Sequence, residues 1–241
     1  MLVPETTLLI LETRNDARHE TTFSALDFET NRFLWKEILF EETWWIGVTA
    51  ATPEVLLLHL YQDTENPDKK GLIAWHIRDQ KKLWQLDGFF LSFVMGDKVY
   101  GQFAEEGRGM VLIDAVSGKI LENNVTEINP LENILALKPF LYVENSNYFD
   151  TVKSFLMQKL NVTAVAGIEY LEYASLVFIS YHVHREGLMN FLLVVTAEGD
   201  VVLHEKLGEH LKGLGLETFF ILSGCLFFVR NKGELVSYRI V

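Results

Sequence analysis

His182-Val183-His184 is the closest pair of imidazoles in the chain. Alternate residues of a β-strand point to the same face, so both rings could reach one metal ion, with Glu186 as an oxygen ligand. A strand face that points to solvent produces the same His-x-His pattern without any metal. We therefore predict no metal site at these residues.

No residue pattern in the chain indicates a catalytic site. A glycosidase needs two carboxyl groups at a defined separation, which sequence spacing alone does not give, so we interpret the acidic clusters as solvated loops. The chain lacks a Gly-x-Ser-x-Gly elbow, a Walker phosphate loop and a Gly-x-Gly-x-x-Gly turn, so we predict no catalytic residue and no cofactor. These absences favour a non-enzymatic role and leave an enzyme as the open alternative. We expect a flexible loop at the glycines of 208–216 and a buried core thiol at Cys225. The acidic clusters are Glu41-Glu42, Glu105-Glu106, and Asp63 with Glu65 and Asp68.

Composition excludes several classes of protein. The 241 residues carry a net charge of −12, 49% are hydrophobic, and one cysteine rules out a disulfide scaffold or a multi-cysteine metal site. No stretch without Asp, Glu, Lys or Arg is longer than Thr218 to Val229, which is too short to span a bilayer, and the N-terminus resembles no secretory signal. We therefore expect an acidic, cytoplasmic protein that binds neither nucleic acid nor membranes, because negative charge repels both surfaces.

Short apolar or alternating runs of residues, separated by polar turns, predict an all-β fold. One short helix is predicted near residues 148–160, where Phe149, Val152 and Leu156 follow helical spacing behind Asn147 as a possible N-cap. Residues 29–42 also fit an amphipathic helix by period, but the repeat described below favours a strand. The predicted strands are 8–12, 22–27, 44–49, 55–61, 71–77, 89–95, 99–104, 110–114, 168–173, 176–183, 189–196, 201–204, 218–222, 225–229 and 234–241.

Adjacent aromatic pairs recur along these predicted strands. Neighbouring residues of a strand face opposite sides, so we expect each pair to pack on both faces of its sheet. A second interpretation is an exposed aromatic residue on which a peptide or sugar could stack. The pairs are Trp44-Trp45, Phe89-Phe90, Phe219-Phe220 and Phe227-Phe228.

An eleven-residue pattern occurs four times in the chain. Ala25 to Trp35 aligns without gaps on Ala74 to Trp84 and on Leu112 to Glu122, and a weaker copy runs from Val194 to His204. Each copy predicts two strands joined by a tight turn, with Asn31 and Gly118 at the position that requires positive φ. Four strands in roughly 40 residues are typical of a β-propeller blade.

These copies resemble the propeller repeat of pyrroloquinoline-quinone-type proteins, Ala-x-Asp-x-x-Thr-Gly-Lys-x-x-Trp. The resemblance implies that each Trp ring covers the turn of the neighbouring blade. It marks the fold and carries over no quinone or calcium site. The matching residues are Ala25, Asp27, Thr30 and Trp35 in the first copy, Ala74, Lys81 and Trp84 in the second, and Asp114, Gly118 and Lys119 in the third.

The repeat predicts residues 1–241 to be a single β-propeller of five or six four-stranded blades, with six favoured. A degenerate blade strand is expected near 148–150, and Met1 to Glu5 is expected to close the ring by pairing with 234–241. We expect a bacterial family of uncharacterised function and a non-enzymatic binding or scaffold module for a protein or peptide. The alternative is an enzyme or small-ligand receptor with its site at the central channel.

Overall fold

In the part of the chain that the structure describes, antiparallel strands make up nearly all of the regular structure, and one α-helix supplies the rest. The computed structural model describes residues 1–61, 70–104, 109–125 and 136–240. The chain divides into two compact units, Met1–Asn133 and Ile134–Val241. The all-β prediction and the helix are confirmed, whereas the single domain stays a prediction. The acidic clusters at 63–68 and 105–106 lie outside the described residues.

Three sheets form the described part of the first unit, and within each sheet every strand pairs with the next along the chain. The predicted helix alternative for 29–42 is excluded, because residues 32–38 form a strand. The strands are β1 (Leu8–Asn15), β2 (Glu20–Asp27) and β3 (Arg32–Ile38); β4 (Ile46–Ala51), β5 (Val55–Tyr61), β6 (Lys70–His76) and β7 (Lys81–Asp87); and β8 (Phe89–Met95), β9 (Lys98–Phe103), β10 (Val111–Asp114) and β11 (Ile120–Asn123).

The second unit contains a five-stranded and a three-stranded sheet, again with sequential antiparallel pairing. In the sequence, helix α1 (Asn147–Leu160) follows the first strand of the larger sheet and precedes the second. Among the described residues no helix is long and apolar enough to cross a membrane. The strands are β12 (Phe140–Val143), β13 (Val165–Tyr173), β14 (Leu176–His184), β15 (Leu188–Thr196) and β16 (Val201–Leu211), followed by β17 (Phe219–Leu222), β18 (Cys225–Arg230) and β19 (Glu234–Arg239).

The turns of the repeat copies are built by one local device. Asp27 Oδ1 accepts from the backbone N–H of Glu29 at 3.0 Å and of Thr30 at 3.2 Å, and these bonds lower the pKa of Asp27. In the second copy His76 replaces the aspartate, and its Nδ1 accepts from Asp79 N–H at 3.0 Å. A different side chain thus makes an equivalent bond. The predicted positive φ is confirmed at Asn31 (53°) and at Gly118 (69°).

The tryptophans of the repeat dock neighbouring sheets of the first unit. Trp35 Nε1 donates to the carbonyl oxygen of Ile77 at 2.8 Å, and Trp84 Nε1 donates to that of Ala115, also at 2.8 Å. Ile77 is the first turn residue of the second copy, and Ala115 is the first turn residue of the third. A Cβ on Gly118 would lie only 2.7 Å from Trp84 Cγ, so the indole lies directly on that turn. The docking that the repeat implied is confirmed for these two pairs of sheets.

Helix α1 replaces a predicted strand. Its N-cap is Ser146, whose Oγ accepts from Phe149 N–H at 3.3 Å, so Asn147 is the first helical residue and not the cap. Phe149, Val152 and Leu156 are buried against the five-stranded sheet, and burial of such side chains contributes about 1.5–3 kcal/mol each. The degenerate strand expected at 148–150 is therefore wrong, because those residues form the first helical turn.

The N-terminal residues and the start of β4 differ from the simplest prediction. Residues 1–3 pair with the neighbouring strand β1, through a Leu2–Leu9 bridge and a bond from Val3 N–H to Leu8 O at 2.9 Å. Pairing of Met1 to Glu5 with 234–241 stays a prediction. Strand β4 begins at Ile46, so Trp44 and Trp45 lie in the preceding bend, where strand alternation does not apply.

Candidate functional site

His182 and His184, the pair weighed as metal ligands, lie in different environments. His182 is 2% exposed whereas His184 is exposed, and His182 Nδ1 lies 3.4 Å from the carbonyl oxygen of Gly167. In the chain as far as the structure describes it, no three His, Cys, Asp or Glu side chains are grouped as metal ligands. Burial lowers the pKa of His182, and its Nε2 has no hydrogen-bond partner among the residues that the structure describes.

The remaining sequence candidates have structural roles or are surface residues. Glu42 Oε1 accepts from the backbone N–H of Trp44 and of Trp45, both at 2.8 Å, so it shapes the bend before β4. Cys225 is half-buried, because it opens β18 directly after a turn, and the prediction of a core thiol is wrong. The glycine-rich stretch at 208–216 is only partly a loop, since β16 extends to Leu211.

Most of the aromatic pairs pack in cores as predicted. Phe219 and Phe228 belong to the buried cluster between the two sheets of the second unit, and Phe220 stacks on Phe227 with ring centres 5.2 Å apart. Trp45 differs from these residues, because 43% of it is exposed.

Three tyrosines that the sequence analysis did not single out form a stacked row at the edge of the five-stranded sheet. Tyr142 of β12 lies between Tyr148 of α1 and Tyr170 of β13, with ring centres 5.2 Å and 5.6 Å away. We call Tyr142, Tyr148 and Tyr170 the tyrosine ridge. Phe140 lies opposite Tyr170 in the strand register and is 70% exposed, and Tyr148 is 69% exposed. Exposed aromatic faces of this kind indicate a binding surface.

A groove between helix α1 and the sheet continues from the tyrosine ridge. Its volume is about 250 Å³, and Tyr170 belongs to both the groove and the ridge. Val152, Ile179 and Val195 make an apolar floor with few polar groups, the usual composition of a ligand site. The complete lining is Thr151, Val152, Phe155, Tyr170, Val177, Ile179, Val195, Thr196, Ala197 and Gly199.

Charge next to the ridge is mainly negative. Tyr170 O–H donates to Glu172 Oε1 at 2.5 Å, while Glu144 follows β12 and Asp150 lies in the first turn of α1. Burial raises the pKa of Tyr170, and the bond to Glu172 adds to the effect, so the phenol stays neutral and donates. The ammonium of Lys153, in the next turn of α1, lies 5.6 Å from the ring centre of Phe149.

A buried hydrogen-bond chain on the opposite face of the sheet fixes β13. Thr218 Oγ1 donates to Glu169 Oε2 at 2.5 Å, and the backbone N–H groups of Glu217 and Thr218 also donate to the Glu169 carboxylate. Since Thr218 has a single hydroxyl hydrogen, the Ser180 hydroxyl, 2.7 Å away, donates to it. Ser180 in turn accepts from Asn190 Nδ2 at 3.0 Å. The chain anchors β13 through Glu169, immediately before Tyr170.

Comparisons with known proteins identify a partial match. Residues 2–84 match the family model described as "Domain of unknown function (DUF4905)". Among solved structures, the chain is similar to BamB from Moraxella catarrhalis at 10% identity, over 99% of this chain and 91% of that chain, with a TM-score of 0.29. The comparison with curated proteins gives no match. The family match covers the segment from Leu2 to Trp84 and does not reach the tyrosine ridge.

Proposed function

We propose that this chain is a non-enzymatic binding module that takes a basic, extended segment of a protein or peptide at the tyrosine ridge. The observation that carries the proposal is the stack of the exposed Tyr148 on the half-buried Tyr142 and Tyr170 beside an apolar groove. The ridge lies where the chain departs from its repeat: the sheet has a fifth strand, and a helix follows that strand. Binding sites are commonly built on such additions to a regular scaffold.

Charge selects the class of partner. Tyrosine ring faces attract ammonium and guanidinium groups, and each exposed contact contributes about 0.5–1 kcal/mol. Glu144, Asp150 and Glu172 add carboxylates on the neighbouring segments, and the whole chain carries a charge of −12. These features favour a lysine- or arginine-containing peptide over an acidic one and support the expectation of no nucleic-acid partner.

The scaffold we propose for this site is a β-propeller of five or six blades formed by residues 1–241. Five antiparallel sheets and the two tryptophan contacts between successive sheets support this proposal. A cytoplasmic location, a bacterial source and the absence of a cofactor remain part of it. An electron-density map of the crystallised chain would test it, since radial four-stranded blades are required.

A titration with fluorescein-labelled peptides tests the function. We expect Lys-Val-Lys-Val-Lys-Val to raise the anisotropy, and Glu-Val-Glu-Val-Glu-Val to leave it unchanged. Tyr148→Ala should weaken binding about two- to fivefold, because one exposed cation–π contact is lost. Tyr238→Ala is the matched control, since Tyr238 is 42% exposed and lies on β19. Equal affinity for both peptides, or equal effects of the two substitutions, would contradict the proposal.

A further inference from the structure

Strand β12 is an exposed edge of its sheet. In the part of the chain that the structure describes, its one sheet partner is β13. Its sequence is Phe-Leu-Tyr-Val, in which Phe, Tyr and Val have high β propensity and no residue is charged. Phe140 is 70% exposed and Val143 is 55% exposed. An edge with these properties is a template for pairing with another extended chain.

Two other edge strands, β4 and β1, are covered, and β12 differs from both. Glu12 Oε2 accepts from Val48 N–H at 2.8 Å, while Arg14 donates to the carbonyl oxygens of Trp44 at 3.0 Å and Ile46 at 2.8 Å. Glu12 and Arg14 thus form hydrogen bonds with backbone groups at the outer edge of β4 and of the residues just before it. On β1 the same role falls to residues 1–3. Charged side chains on an edge are a known defence against strand pairing, and β12 has none.

The register shows which backbone groups of β12 point outward. Glu144 N–H donates to Ala166 O at 3.3 Å, and in an antiparallel pair the hydrogen-bonded positions alternate. Tyr142 and Phe140 are therefore bonded to β13, whereas Leu141 and Val143 direct their N–H and C=O groups away from it. The Val143 carbonyl agrees with this direction, because it accepts from Ser146 N–H at 3.2 Å and from Ser146 Oγ at 2.8 Å. Among the described residues the N–H and C=O of Leu141 and the N–H of Val143 have no hydrogen-bond partner, so they are open to an added strand.

We infer that a basic peptide binds by adding one antiparallel strand to β12, with residues opposite Leu141 and Val143 apolar and the alternate residues cationic. This inference rests on the proposed function and specifies its geometry. Leu141 lies on the sheet face opposite the ridge, beside Leu214, because a Cβ on Gly167 would meet Cδ1 of both leucines, at 3.2 Å and 3.5 Å. The other face presents Phe140 and Tyr142. A strand that alternates valine with lysine places its valines on the Leu141 face and its lysines on the face of Phe140 and Tyr142.

Peptide N-methylation tests the geometry directly. In antiparallel addition the residue that exchanges bonds with Leu141 lies directly opposite it, so the valine amides face β12 and the lysine amides face away. We expect Lys-Val-Lys-Val-Lys-Val methylated on its valine nitrogens to lose at least tenfold in affinity. The same peptide methylated on its lysine nitrogens should keep its affinity. The reverse order of the two, or equal binding of both with the unmethylated peptide, would overturn antiparallel addition.

A matched pair of substitutions tests the protein side. Leu141→Pro removes an outward-facing N–H without removing a bond to β13, since proline is tolerated on an edge at such a position. Leu141→Ala shortens the same side chain and keeps the N–H. We expect the proline variant to bind the unmethylated peptide at least threefold more weakly than the alanine variant, with circular dichroism confirming that both are folded. Equal affinities of the two variants would contradict the inference.

The two proposals fail in different ways. If the unmethylated peptide does not bind the native chain, the proposed function itself is wrong. If it binds and Tyr148→Ala weakens it, but both methylated peptides bind as well as the parent, the ridge binds peptides without strand addition. A peptide of equal composition with blocked order, Lys-Lys-Lys-Val-Val-Val, should bind more weakly than the alternating one. Equal affinity for the two orders would overturn the alternation.

Discussion

Alanine in place of Gly118 tests how the second sheet docks on the third. The added Cβ would lie 2.7 Å from Cγ and 2.8 Å from Cδ1 of Trp84, so the indole has to move. That movement breaks the 2.8 Å bond from Trp84 Nε1 to Ala115 O, which contributes about 0.5–1.5 kcal/mol. A left-handed alanine at φ 69° adds a cost of about 1–2 kcal/mol. We expect a loss of about 1.5–3.5 kcal/mol in the free energy of unfolding, the sum of the two costs.

Gly96→Ala is the matched control, because Gly96 has φ 59° and no atom of the described residues lies within 4 Å of an added Cβ. It should lose only the conformational cost of about 1–2 kcal/mol. Urea unfolding followed by circular dichroism measures both variants. In a Trp84→Ala background, Gly118→Ala should cost no more than Gly96→Ala does. If Gly118→Ala costs no more than Gly96→Ala in the native background, Trp84 does not dock on the turn.

Two further predictions concern buried polar groups of the second unit and the pH dependence of stability. Burial lowers the pKa of His59, His182 and His204, so below about pH 6.5 the unfolded chain takes up protons that the folded chain does not. The histidine contribution to stability is therefore complete above that pH, and it is lost as the pH falls towards the pKa values of the histidines in the folded chain. His182→Leu should reduce the difference between the urea midpoints measured at about pH 7.5 and at about pH 5.5. Glu169→Gln should lower the free energy of unfolding by about 1–3 kcal/mol, because an amide group replaces a carboxylate oxygen that accepts hydrogen bonds. Urea unfolding measures this loss beside that of Thr218→Val. A smaller loss for Glu169→Gln than for Thr218→Val would show that Glu169 does not anchor the chain of hydrogen bonds.

The repeat made much of the fold predictable, because the same local chemistry recurs at fixed spacing. Asp27 and Gly118 carry recognisable turn signals, and the docking of Trp84 follows from its place in the motif. Helix α1 was predictable from its apolar spacing. Its cap was placed one residue too late, since Ser146 and Asn147 are both capping residues and only the backbone geometry distinguishes them.

The candidate site was not predictable from the sequence for two physical reasons. Strand β12 has four residues, too few for a period to be recognised, and its sequence lies between the repeat copies. The three tyrosines are separated by 6 and 22 residues and meet only because β12, α1 and β13 bring them to one edge. His182 shows the opposite case, in which residues close in the sequence do not share an environment. Its two-residue spacing to His184 is compatible with a shared ligand site, but one ring is buried and the other is exposed.

Hydrogen exchange followed by mass spectrometry tests the central claim most directly, because it locates the bound peptide on the chain without any substitution. Saturation with Lys-Val-Lys-Val-Lys-Val should slow amide exchange in β12, at Leu141 and Val143, and leave β4 unchanged, since Glu12 and Arg14 already cover that edge. Slowed exchange in β4 or elsewhere, with none in β12, would contradict the account.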